Sequence, residues 1–227
     1  LRCEGLAAAS FVSLYRKSIL NCFEKFYGSP KDYCIMGILP KRKNSSLAFM
    51  IDYLIKESKH PLSGFCYENS RDIFKALEQI KNEKKIIIGI SYCLIDLAEK
   101  IKTSQQSLFK DAIIMETGGM KGKRKELTKT ELHELLKKTF GVQNIHSEYG
   151  MTELLSQAYS KGKGIFYCPP WIKILIRDVN DPFSIVEKNK TGGINIIDLA
   201  NIHTCSFISS MDLGKLHDDN SFEILGR

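Results

Sequence analysis

The five residues Ile86-Ile87-Ile88-Gly89-Ile90 carry no polar side chain on either side of a strand. A strand with one wet face alternates, whereas a continuous β-branched run needs cover on both faces, as a parallel strand has between two helical layers. The surrounding chain fits that requirement. Phe11–Tyr27 places Leu14, Ile19, Cys22, Phe23 and Phe26 at helical spacing and stops at Gly28-Ser29-Pro30. Tyr33–Leu39 reads as a buried strand, Leu47–Lys56 as an amphipathic helix, and Arg71–Ile80 as a helix after an Asn69-Ser70 cap. Beyond Ile90, Tyr92–Lys102 is predicted helical and Ala112–Met115 a second buried strand. Thr128–Thr139 is a helix opened by a Thr128/Glu131 capping box and closed by Gly141. Strand and helix alternate, which predicts an α/β fold with a mostly parallel sheet flanked by helices and ligands bound beyond the carboxyl ends of the strands.

After Trp171 the texture changes. Ile172–Arg177, Gly193–Leu199, Leu213–His217 and Phe222–Leu225 read as strands, the last two joined by the turn Asp218-Asp219-Asn220-Ser221. An α/β core over 1–170 and a smaller β-rich unit over 171–227 are expected.

With 227 residues, 43% hydrophobic and 26% charged, the chain can bury one substantial core, so an ordered globular chain is expected rather than a disordered one. No apolar run approaches the roughly 20 residues a membrane span needs, and Leu1–Ser10 lacks a basic region and contains Glu4. A cytoplasmic protein is expected. The net charge of +7 comes from scattered lysines, denser at 41–43 and 121–125. It reads as a solvated surface or as attraction for a nucleotide; the compact aromatic and basic patch of a nucleic-acid module is missing. Seven cysteines without a C-x-x-C pair (Cys3, Cys22, Cys34, Cys66, Cys93, Cys168, Cys205) read as reduced, mostly buried thiols, and no His/Cys spacing argues for zinc. Oligomeric state is not legible.

Ser147–Glu153 reads S-E-Y-G-M-T-E between a strand-like Val142–His146 and an apolar Leu154-Leu155, which predicts a strand-to-helix turn. There a tyrosine ring can stack on a base, a glycine admits a ligand to the backbone, a threonine hydroxyl can bond phosphate, and a glutamate can hold Mg²⁺. Each candidate also has a plainer reading. Gly118-Gly119 is a turn after a strand, Thr152 and Glu153 are good first-turn helix residues, Asp212 is a turn aspartate and Arg227 a surface charge.

The motif resembles the Y-G-x-T-E signature of the adenylate-forming enzymes, the superfamily of acyl-CoA synthetases, luciferases and nonribosomal peptide adenylation domains. Thr117-Gly118-Gly119-Met120 upstream, and Ser210-Met211-Asp212-Leu213-Gly214 with Leu225-Gly226-Arg227 downstream, agree in order and spacing, so the resemblance runs from about Leu14 to the last residue. The wording M-E-T-G-G-M-K-G, H-S-E-Y-G-M-T-E-L-L and C-P-P-W is similar to the acyl-protein synthetase (LuxE-type) and phenylacetate-CoA ligase-like branch.

The resemblance implies part of the large N-terminal domain of such an enzyme. Gly118, Gly119 and Met120 would form the loop against adenine, with Glu148, Tyr149, Gly150 and Met151 completing the nucleotide site and Tyr149 stacking on the base. Thr152 would bond phosphate, Glu153 would coordinate Mg²⁺, and Asp212 would accept from the ribose hydroxyls with Arg227 assisting. His146 completes the catalytic set as a lining of the acyl or phosphate pocket, or is a hydrogen-bonded core histidine. His60, His133, His203 and His217 read as structural. Cys168-Pro169-Pro170-Trp171 would shape the acyl channel, since nothing nearby in sequence lowers the Cys168 pKa.

The implied activity is ATP-dependent activation of a carboxylic acid, fatty or aryl, to an acyl adenylate. Transfer to a thiol of coenzyme A, a carrier protein or a protein cysteine follows. Leu1–Phe11 contains nothing like the family's Ser/Thr/Gly-rich phosphate loop, and the family's C-terminal lysine domain is absent. The chain is expected to be a fragment or to lack loops, as the short Leu39-Pro40-Lys41 junction suggests. A non-catalytic nucleotide-binding relative is the alternative.

Overall fold

The computed structural model describes residues 6–42, 44–68, 70–120 and 122–226, which form two compact units. The first unit comprises Tyr27–Tyr149 with Lys161–Lys163, and the second residues 6–26, Gly150–Ser160 and 164–226.

In the first unit, strands β1 (Cys34–Ile38), β2 (Gly64–Phe65), β3 (Lys85–Ile90), β4 (Ala112–Thr117) and β5 (Ile145–Tyr149) run parallel in the order β2-β1-β3-β4-β5. The register pairs Ile35 with Ile86, Ile87 with Ile114, and Ile114 with Ile145, so the β-branched residues stack into one core. Every residue of β1 and β3 is buried, as two-sided cover requires. Even Lys85 is buried, and its ammonium donates to the carbonyls of Ile80 (3.2 Å), Lys81 (2.9 Å) and Glu83 (3.4 Å), which closes the turn after α3 (Ser70–Gln79). Asn69, the expected cap of that helix, lies outside the described residues.

Helix α2 (Ser46–Ser58) is capped by the Ser45 hydroxyl, which accepts from Ala48 N at 3.2 Å. Helix α4 (Ser91–Ala98) ends four residues before the expected Lys102: Glu99 N still reaches Ile95 O in the helical pattern, but the N–H groups of Lys100 and Ile101 tighten onto Leu97 and Ala98, three residues back. Helix α5 (Lys129–Phe140) opens with the expected Thr128/Glu131 box and closes at Gly141, φ 70°.

The second unit holds α1 (Leu6–Tyr27, whose last residue belongs to the first unit), β6 (Ala158–Ser160) and an antiparallel sheet in the order β7-β11-β10-β9-β8. Its strands are β7 (Ile165–Phe166), β8 (Ile172–Arg177), β9 (Thr191–Asp198), β10 (Phe207–Leu216) and β11 (Phe222–Gly226). The β10/β11 hairpin turns at Asn220, φ 65°, as the Asp-Asp-Asn-Ser run predicts. Strand β10 starts six residues before the expected Leu213. The α/β class with a mostly parallel sheet and a smaller β-rich part is therefore the fold. Among the described residues no helix is long and apolar enough to cross a membrane, and Cys22, Cys34, Cys66, Cys93, Cys168 and Cys205 are thiols outside any disulfide.

Candidate functional site

In the first unit the candidate residues gather at the carboxyl ends of β4 and β5, where Thr117 and Glu148 are register partners. Gly118 follows β4 with φ 67°, a conformation that strains any side chain. Gly118 and Gly119 are exposed and Met120 is buried. The Thr117 hydroxyl donates to Glu148 Oε2 at 2.5 Å.

Beneath the glycine turn lies a buried polar cluster. The Ser91 hydroxyl, at the start of α4, lies 2.6 Å from Gly118 O and 3.2 Å from Glu116 Oε2, tying the turn to the carboxylate. Glu116 Oε1 meets Lys129 Nζ at 3.1 Å and His133 Nε2 at 3.5 Å, and Ser147 Oγ stands 3.4 Å from the same imidazole nitrogen. Burial pushes the Glu116 carboxyl upward, but Lys129 first, then His133 and Ser147, outweigh it and bring it down to about 2. Glu148 goes the other way. Burial foremost, with the Glu116 charge adding, raises it to about 7 against the opposing pull of Thr117 and Lys129. Two buried carboxyls one strand apart are thus split, one a fixed anion and the other titrating near neutrality. Sequence reasoning missed Glu116 and Lys129. A glutamate that continues the apolar run Ala112–Met115 was the available signal, since lone carboxylates are rarely buried unpaired.

His146, half-buried on β5, has Nδ1 3.1 Å from the Tyr27 hydroxyl, with ring centroids 5.8 Å apart. Burial, then the Lys161 charge, holds its pKa down to about 4, so it is a neutral, hydrogen-bonded imidazole at neutral pH. Tyr149 is half-buried at the last position of β5.

In the second unit, Gly150, Thr152 and Glu153 are exposed and Met151 is half-buried. The strand-to-helix turn expected for the motif is not what forms. Thr152 and Glu153 occupy a turn, and the chain passes through buried Leu154–Gln157 into β6. The N–H groups of Leu155 and Ser156, which an opening helix would leave unsatisfied, both donate to Asp198 Oδ2 at 3.0 Å. The first-turn reading of Thr152 and Glu153 falls with the helix.

Asp212 is not a turn aspartate either. It is buried on β10 inside a bulge, where Ser209 pairs with Asn195 but Leu213 pairs with Gly193, so four residues of advance on β10 match two on β9. The Ser210 hydroxyl accepts from Asp212 N (3.2 Å) and donates to Ile194 O (2.9 Å). Arg177 donates to Ser210 O (2.7 Å), Ile194 O (3.1 Å) and Asn195 Oδ1 (2.9 Å), which locks the bulge. Arg227 lies outside the described residues.

Burial, then the neighbouring Cys22 and Asp198, push the Cys168 thiol up to about 12, so it stays protonated and unreactive. Trp171 donates from Nε1 to Ser156 Oγ at 3.0 Å. Among the described residues no group of three or more His, Cys, Asp or Glu is arranged to hold a metal.

No family model and no curated protein matches the chain. Solved structures do share its fold. ATP-bound MatB from Rhodopseudomonas palustris aligns over 94% of this chain and 44% of its own with a TM-score of 0.68 and 13% identity. Coronafacic acid ligase from Pectobacterium brasiliense aligns over 94% and 43% with a TM-score of 0.63 and 16% identity. O-succinylbenzoate coenzyme A synthetase (MenE) from Bacillus subtilis, in complex with AMP, aligns over 94% and 45% with a TM-score of 0.56 and 17% identity. The chain spans less than half the length of each of these three proteins. What it shares with them, at that identity, is their fold: the fold that the Y-G-x-T-E resemblance led one to expect.

Proposed function

We propose that this chain is the nucleotide-binding part of an enzyme that uses ATP to activate a carboxylic acid as an acyl adenylate and then passes the acyl group to a thiol. The observation that carries the reading is the seating of Thr117–Met120 and Glu148–Tyr149 at the carboxyl ends of adjacent parallel strands, where α/β folds bind ligands. The proteins of like fold, an ATP-bound MatB, an acid ligase and an AMP-bound coenzyme A synthetase, support it.

In the reaction a substrate carboxylate attacks the α-phosphorus of ATP, a P–O bond forms, and the bond to pyrophosphate breaks. The protein's work is to orient two anions and neutralise charge. Gly118, Gly119 and Met120 line adenine, with Glu148, Tyr149, Gly150 and Met151 around the base. Thr152 would bond phosphate, Glu153 would hold Mg²⁺, which would spread the phosphate charge, and Asp212 would anchor the ribose with Arg227. Neutral His146 lines the site without contributing charge. On this reading the branch is the acyl-protein synthetase (LuxE-type) or phenylacetate-CoA ligase-like one, with a fatty or aryl acid as substrate and coenzyme A, a carrier protein or a protein cysteine as acceptor.

The test is acid-dependent exchange of labelled pyrophosphate into ATP by the full-length protein, run over fatty, aryl and short acids. Exchange with at least one acid is expected. ATP binding without exchange with any of them would make the protein a non-catalytic nucleotide binder instead.

A further inference from the structure

Thr152 and Glu153 are exposed in a turn that Leu154 N closes on Met151 O at 3.1 Å, and the carbonyl of Glu153 is held from far along the chain. Asp198, the last residue of β9, is fully buried. Its carboxylate accepts from Leu155 N and Ser156 N at 3.0 Å each, from the Ser156 hydroxyl at 2.8 Å and from Ala200 N at 3.1 Å. One short 3₁₀ turn later, over Leu199–Asn201, the buried Asn201 donates from Nδ2 to Glu153 O at 2.6 Å and to Cys205 O at 2.8 Å. Its Oδ1 accepts from the Thr204 hydroxyl, which fixes the amide with its donor end toward Glu153. The turn thus grips residues 42 to 48 positions away through three backbone contacts and one hydroxyl.

We propose that the Asp198–Thr204 turn is the positioning element for Thr152 and Glu153, with Asn201 and Thr204 setting the direction of the Glu153 side chain; this rests on the adenylate-forming reading of the motif. A clamp with a purely structural task has its object in buried Leu154–Ser156, and Asp198 alone serves that. The shortest of these backbone bonds goes instead to the carbonyl of Glu153, whose side chain is in solvent. Thr204 is itself exposed, so its bond to Asn201 orients an amide and buries little. Charge-assisted bonds from Asp198 make the base of the turn stiff, and stiffness at the base is what lets an exposed catalytic pair keep its aim.

The experiment compares Thr204→Val, Thr204→Ser and Asn201→Asp with the wild type in the full-length protein, reading pyrophosphate exchange, Mg²⁺ dependence and melting temperature. Thr204→Val is expected to lower kcat about 10-fold while the KM for ATP moves less than about twofold, and to raise the Mg²⁺ needed for half-maximal rate. Thr204→Ser restores all three. Asn201→Asp, which sets an acceptor against Glu153 O, is expected to lose on the order of 10²-fold in kcat, the scale of a misplacement of about 1 Å. If Asn201→Asp does not fold, Thr204→Val decides. Wild-type kcat and Mg²⁺ dependence in Thr204→Val overturns the positioning role and leaves the function standing. A wild-type protein without exchange removes the function and this role with it.

Discussion

Replacing Glu148 by glutamine should make the protein more stable at alkaline pH and leave it unchanged in acid. Glu148 is buried, and its carboxyl is raised from the ordinary 4.5 to about 7 by burial foremost and by the nearby Glu116 anion. A raised carboxyl keeps its proton in the fold where the unfolded chain has lost it. Between pH 4.5 and about 7 the folded state therefore binds more protons, and stability falls as pH rises. A shift of about 2.5 units at 1.36 kcal/mol each amounts to about 3 kcal/mol, absent below pH 4.5 and complete above pH 7. Glutamine cannot ionise and still presents an oxygen to the Thr117 hydroxyl, so Glu148→Gln should lack this loss.

Other groups titrate nearby and must be separated. His146, held down to about 4, adds stability as pH rises from 4 to 6.5, opposite in sign, and Glu116, held at about 2, loses its contribution only as pH falls below 4.5. Both are common to wild type and variant, so the difference between two urea-unfolding series from pH 4.5 to 8.5 isolates Glu148. That difference should grow from near zero to about 3 kcal/mol. Thr117→Val, which removes the donor that opposes the shift, should move the wild-type fall to higher pH. A difference constant within about 0.5 kcal/mol across the range would show that Glu148 is not a neutral buried acid, and the split between the two carboxyls would have to be abandoned.

Gly89→Ala should destabilise the fold by roughly 1–3 kcal/mol in urea unfolding, because the new Cβ would lie 2.6 Å from Ile38 O and 2.8 Å from Ile38 Cβ, where backbone has to move; an unchanged midpoint would refute that closeness. Asp212→Ala should weaken ATP binding by about one to two orders of magnitude with acid selectivity unchanged, since a carboxylate bonded to both ribose hydroxyls contributes roughly 1.5–3 kcal/mol. Calorimetric titration with ATP checks this, and wild-type affinity would leave Asp212 as a bulge residue only.

What was legible in the chain follows from the range over which each contact acts. Ile86–Ile90 showed its two-sided burial in its own composition, and the Thr128/Glu131 box and the Asp218–Ser221 turn are closed by neighbours within three residues. Helix α1 begins at Leu6 rather than Phe11, a start that Leu6-Ala7-Ala8-Ala9 signals by helix propensity even without an apolar stripe. The segment after the motif was misread for the opposite reason. Leu154-Leu155 looks locally like the apolar opening of a helix, and nothing within a helical turn of it contradicts that reading. Asp198, which takes the N–H groups of Leu155 and Ser156, lies 43 and 42 residues away. Asp198 also shows why inspection of its own neighbourhood would not have helped. One of its oxygens accepts from Ala200 N at 3.1 Å, an ordinary cap for the short turn that follows and a sufficient local account of an aspartate in that place. The other oxygen holds the backbone behind Glu153, and only the fold brings that backbone within reach. A residue that already satisfies a local rule conceals a distant one, so the residues most easily missed at such a site are those with a plain explanation nearby.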